Sequence, residues 1–71
     1  MSKRYSSNHI KRVLELLGFS FICQRGSHAK FKNEQGRTVI LPMNRREIQI
    51  GTFRSILRQA GINENAFKKF D

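Results

Sequence analysis

The chain has one cysteine, one proline, no tryptophan and only five acidic side chains. A single thiol, Cys23, rules out an internal disulfide. No Cys/His group has the spacing of a zinc site, so neither kind of staple supports the core. The place of Cys23 in the apolar run "FSFIC" predicts a buried, structural thiol. No apolar run nears membrane-spanning length, and the N-terminal "MSKRYSSNHIKRV" lacks the apolar centre of a secretory signal. The expectation is a cytoplasmic protein with no membrane partner. The shortage of acid is the most informative absence. Fourteen Lys and Arg outweigh it to give a net charge of +9, which calls for a polyanionic partner, either nucleic acid or an acidic protein. Seventy-one residues make one domain, near the lower end of what folds on a single core.

What is present is periodic. Ile10, Val13, Leu14 and Leu17 recur at helical spacing, with Ser6 or Ser7 placed to cap the start and Gly18 to end the helix after about eleven residues. The basic arm from Met1 to Tyr5 precedes it, and His9, beside the polar side of the stripe, reads as a surface residue. From Phe19 the period becomes 2, and Phe19, Phe21 and Cys23 alternate with Ser20, Ile22 and Gln24 as in a half-buried strand. Gly26 and Ser27 reverse the chain. Ala29 and Phe31 then alternate with His28, Lys30 and Lys32 as a return strand. If Phe21, Cys23, Ala29 and Phe31 face the core, His28, Lys30 and Lys32 share the opposite face. "NEQG" is a second turn, and "RTVIL" a third strand stopped by Pro42. After the loop "PMNRREIQI", a helix starting at Gly51 and Thr52 carries the stripe Phe53, Ile56, Leu57 and Ala60, and Gly61 ends it. The tail "NENAFKKF" offers one amphipathic turn through Phe67 and Phe70. The order helix, three-stranded antiparallel sheet, helix is an α+β fold with both helices on one face of the sheet.

The other face then carries the charge. Between Gln24 and Arg58 there are eight Lys or Arg against two Glu, and His28 sits among them with Arg25, Lys30, Arg37, Arg45, Arg46 and, on the second helix, Arg54. Such a surface suits phosphate, because each cation that neutralises one releases condensed counterions. Imidazole exchanges a proton near neutral pH, so His28 could activate a ribose 2′-hydroxyl towards the adjacent phosphate, a route that needs no metal. The same residue could equally serve RNA binding alone. No second histidine stands ready as general acid, which leaves Lys30, an Arg or water.

"GF" at Gly18 and Phe19, "RGSHAKF" at Arg25 to Phe31, and above all "GTFRSILRQAGI" at Gly51 to Ile62 resemble the HicA toxin family. The resemblance runs from about residue 7 to 62, leaving 63–71 as a short tail. It implies a fold similar to the double-stranded RNA-binding domain. It implies a bacterial ribonuclease that cleaves messenger RNA without a cofactor and is neutralised by a HicB antitoxin. It also implies that His28 is the catalytic residue, presented by the Gly26–Ser27 turn. The turn Gly26–Ser27 and the charge pattern make Gly26, Ser27, Lys30, Arg37, Arg45, Arg46 and Arg54 the expected RNA-binding residues, and the +9 charge on so small a domain leads to the expectation that the antitoxin covers the active face. Many members carry a second histidine shortly after the third-strand proline, where this chain has Asn44. The rival readings are a non-catalytic double-stranded RNA-binding module of the same fold and a basic subunit that binds an acidic protein.

Overall fold

A computed structural model describes residues 3–70; the first two residues of the basic arm and the last of the tail lie outside it. The elements follow the order α1 (Ser7–Leu16), β1 (Ser20–Arg25), β2 (His28–Lys32), β3 (Thr38–Pro42), α2 (Ile50–Ala60) and α3 (Glu64–Lys68). The strands form one antiparallel meander, β1-β2-β3. This is the α+β arrangement expected for a fold like the double-stranded RNA-binding domain. No helix among the described residues is long and apolar enough to cross a membrane.

Both helical stripes meet the sheet. Ile10, Val13 and Leu14 of α1 and Phe53, Ile56, Leu57 and Ala60 of α2 are buried against Ala29 and Phe31 of β2 and Val39 and Leu41 of β3. Leu17 is only partly buried, since it follows the last turn of α1. Ser6 caps α1, its hydroxyl accepting from the His9 N–H at 3.1 Å. Gly61 ends α2 in the left-handed conformation, at φ 76°. α2 begins at Ile50, one residue ahead of the expected Gly51–Thr52 start, and its N-cap Gln49 makes no side-chain capping bond.

Strand β1 departs from the expected parity. Phe21 pairs with Phe31, but the next register partner is Cys23 with Lys30, so Ile22 is an extra residue in a β-bulge. One inserted residue inverts the faces of everything beyond it. Cys23 and Arg25 therefore lie opposite Lys30 and His28 on the open face, and Gln24 takes the core side opposite Ala29. The expectation of a buried Cys23 is corrected: the thiol is exposed. Phe21, half exposed, keeps only an edge-on contact with the Phe31 ring at 5.9 Å. On the opposite edge the Gln59 side chain of α2 accepts from the Ile40 N–H of β3 at 2.8 Å.

The two ends of the chain close the core beneath α1. Tyr5 is buried and stacks on His9, with ring centroids 5.0 Å apart, while Phe67 of α3 packs edge-on against Tyr5 and Phe53 at 4.8 and 5.0 Å. Tyr5 thus belongs to the core and not to a solvated arm, and His9 is half buried among aromatic rings instead of on the surface. The tail gains its one turn from Asn63, whose side chain caps Ala66 N–H at 2.8 Å. Of its two phenylalanines Phe67 is buried and Phe70 exposed.

Candidate functional site

His28 opens β2 directly after a two-residue turn. Gly26 sits at φ 57° and Ser27 has an ordinary negative φ, the pattern of a type II′ hairpin, which needs glycine at its first central position. Two contacts fix this turn. Gln24 Nε2 donates to the Gly26 carbonyl at 3.0 Å, and the Met43 N–H donates to the Ser27 carbonyl at 2.6 Å. Ser27 Oγ stands 3.5 Å from His28 Nδ1, at the outer limit of hydrogen-bonding distance, where it can bias the ring's orientation.

The register places His28 between Arg25 on β1 and Pro42 on β3, and Lys30 between Cys23 and Ile40 one row further along the same face. His28 is exposed and borders two clefts. One, of ≈ 290 Å³, is lined by His28, Pro42, Arg45, Glu47, Gln49 and Thr52, with Ile48 at its base. The other, of ≈ 250 Å³, lies over the sheet between Cys23, Arg25, His28, Lys30 and Ile40. The imidazole therefore stands on the ridge between a cleft at the start of α2 and a cationic sheet face.

The loop that supplies Arg45 is held from below by a buried serine. Ser7, 1% exposed, donates its hydroxyl to the Pro42 carbonyl at 2.6 Å and accepts from the Arg45 N–H at 3.1 Å, while its own N–H donates to the Arg45 carbonyl at 3.0 Å. Further along, the Ile48 N–H donates to the Tyr5 carbonyl at 2.7 Å. Between these anchors Asn44 adopts φ 62°, a left-handed conformation that Asn tolerates better than most residues with a side chain. That conformation gives Asn44 a backbone role in shaping the loop.

The site residues expected from sequence do not all meet. Gly26, Ser27, Lys30 and Arg45 surround His28. Arg46 is exposed on the same loop, and Arg54 is exposed on α2 beyond Thr52. Arg37 lies at the other end of α2, where its guanidinium donates to the Gln59 carbonyl at 3.2 Å and covers Gly61 so closely that an added methyl there would stand 2.5 Å from Arg37 Cζ. A cation at a helix C-terminus is favourably placed against the helix dipole. Sequence reasoning missed Glu47, Gln49 and Thr52 as cleft residues, and Ser7 as the anchor of the loop. Thr52 was within reach, since a helix starting next to the β3 loop must aim its first turn at the end of β3.

No curated protein matches the chain closely enough to count as a relative. Residues 7–62, from the first residue of α1 to just past the end of α2, match the family described as the HicA toxin of bacterial toxin–antitoxin systems. With that match spanning most of the sequence and all three strands that carry and surround His28, the chain belongs to the HicA toxin family.

Proposed function

We propose that this toxin is an endoribonuclease that cleaves messenger RNA in the cytoplasm, with His28 as its acid–base group. The observation that carries the reading is the position of His28: an exposed imidazole on a ridge between two clefts that bring Arg45 to one side of it and Arg25 and Lys30 to the other. A phosphodiester laid across the ridge meets cations on both sides of an imidazole, a side chain suited to acid–base work. The 2′-hydroxyl of the RNA supplies the nucleophile, so the reaction needs neither metal nor cofactor. His28 moves a proton as the phosphodiester is cleaved, while Arg45 and Lys30 balance the charge gathering on the phosphoryl oxygens. Gly26 and Ser27 present the imidazole, and Arg46 and Arg54 extend the cationic track.

A HicB-type antitoxin inhibits, on this reading, by covering the ridge. A +9 chain draws an acidic partner rapidly, and a single small domain has few other faces able to fill an interface of ~800 Å² per side. Footprinting of the complex tests this point, with His28 and Arg45 expected to become protected.

Expression of the wild type beside His28→Ala in a bacterium tests the whole reading. Growth arrest with loss of full-length messenger RNA is expected only for the wild type. Equal growth in both strains contradicts it.

A further inference from the structure

Cleavage of RNA by its own 2′-hydroxyl moves two protons. One leaves the 2′-oxygen as it attacks phosphorus, and one must reach the 5′-oxygen as its bond to phosphorus breaks. An imidazole that has just accepted the first proton can deliver the second only after rearranging, so a concerted step uses two groups. The other histidine does not serve, because His9 is held in the aromatic cluster with Tyr5 and Phe67.

The cleft beside His28 contains one further proton acceptor. Of its lining residues, Pro42 and Ile48 carry no titratable group, Gln49 and Thr52 from α2 are neutral, and the Arg45 guanidinium stays protonated. Glu47 remains. Its side chain is exposed and forms no ion pair or hydrogen bond with the described residues, so no structural partner occupies the carboxylate. Its backbone lies between two anchors, Arg45 bonded to Ser7 and Ile48 bonded to Tyr5. A carboxylate there opposes phosphate binding, an unfavourable feature in a chain with only five acidic residues unless the group is used.

We propose that Glu47 is the general base and His28 the general acid of the cleavage step; this rests on the ribonuclease reading above. The Glu47 carboxylate takes the 2′-hydroxyl proton as the 2′-oxygen bonds to phosphorus. The His28 imidazolium gives its proton to the 5′-oxygen as the P–O5′ bond breaks. The products are a 2′,3′-cyclic phosphate and a 5′-hydroxyl, and Glu47 and His28 are both left neutral until they exchange protons with solvent. This direction follows from chemistry. An ionised carboxylate only accepts protons, whereas an imidazolium donates from both ring nitrogens. Arg45, the other charge facing both groups, balances the phosphoryl oxygens.

Single-turnover cleavage of an RNA oligonucleotide, followed against pH for the wild type, Glu47→Gln and Glu47→Asp, tests the proposal. The wild-type rate should rise with pH as the carboxyl loses its proton and fall as the imidazolium loses its own. Glu47→Gln should lower the maximal rate by ~10²–10⁴-fold and abolish the rising limb. Glu47→Asp should restore part of the rate together with that limb. Binding of the same oligonucleotide made non-cleavable by a 2′-deoxy sugar should be unchanged or tighter in Glu47→Gln, which no loss of structure would produce. A Glu47→Gln protein that cleaves at the wild-type rate with the rising limb intact overturns the proposal alone. A wild type that cleaves no RNA overturns the ribonuclease reading and the proposal with it.

Discussion

Ser7→Ala should be among the most damaging small substitutions in this protein, although it removes a single oxygen. That hydroxyl, on a residue 1% exposed, donates to the Pro42 carbonyl and accepts from the Arg45 N–H. Each bond contributes ~0.5–1.5 kcal/mol net, but where the partner is left buried and unsatisfied the cost is instead ~1–3 kcal/mol. Because water can reach Arg45 on the exposed loop, the full penalty applies only to the Pro42 carbonyl, for a total of about 2–4 kcal/mol. At ~0.05–0.15 kcal/mol per residue the whole domain holds only ~4–10 kcal/mol. Thermal unfolding followed by circular dichroism should therefore show a fall in Tm of ~8–32 °C, at ~4–8 °C per kcal/mol for a domain of this size. Urea titration should show a lower midpoint with an unchanged slope, since the surface exposed on unfolding is the same. A Ser7→Ala protein within ~0.5 kcal/mol of wild type, the range of ordinary surface changes, would refute the view that this serine holds the Arg45 loop.

Phe67→Ala should cost ~3–5 kcal/mol, since the ring is 1% exposed between Tyr5 and Phe53; a near-neutral result in chemical denaturation would remove α3 from the core. Replacing Arg45 and Arg46 together by Ala should lower the salt slope of RNA binding by up to two phosphate units of about 0.7 each, whereas Arg37→Ala, bonded to the Gln59 carbonyl, should leave the slope unchanged and reduce stability instead. A changed slope in the Arg37 variant would bring RNA to the far end of α2. An oligonucleotide with one 2′-deoxy sugar at the cut position should resist cleavage, and excess chelator should not slow the cutting of the all-ribose form; the opposite outcome in either assay contradicts attack by the 2′-hydroxyl.

The helices were legible because each buries one stripe at a period set within the segment itself. Ile10, Val13 and Leu14, and Phe53, Ile56, Leu57 and Ala60, all lie where their spacing puts them. Alternation through His28–Lys32 was legible for the same reason, because β2 is the central strand and pairs without interruption to β3. Strand β1 was not. The run "FSFIC" alternates in sequence, but the bulge at Ile22 adds a residue that no local pattern marks, and the faces of Cys23 and Arg25 invert with it. That inversion brings Cys23 out of the expected core to line the cleft beside Arg25, His28 and Lys30. The cores of Tyr5 and His9 escaped notice because their partner Phe67 is some sixty residues away and their neighbours are basic and polar. Ser6 and Ser7 were indistinguishable as caps. Only the fold separates them, giving one to the helix end and the other to the Pro42–Arg45 loop.

The most direct test of the account is the rate at which purified wild-type protein and His28→Ala cut one RNA oligonucleotide, with circular dichroism confirming that both are folded. His28 is exposed and among the described residues its side chain bonds only to Ser27, by the long contact, so the substitution should leave stability nearly unchanged. A loss of ~10²–10⁴-fold in rate is expected. Cleavage by folded His28→Ala at the wild-type rate would contradict it.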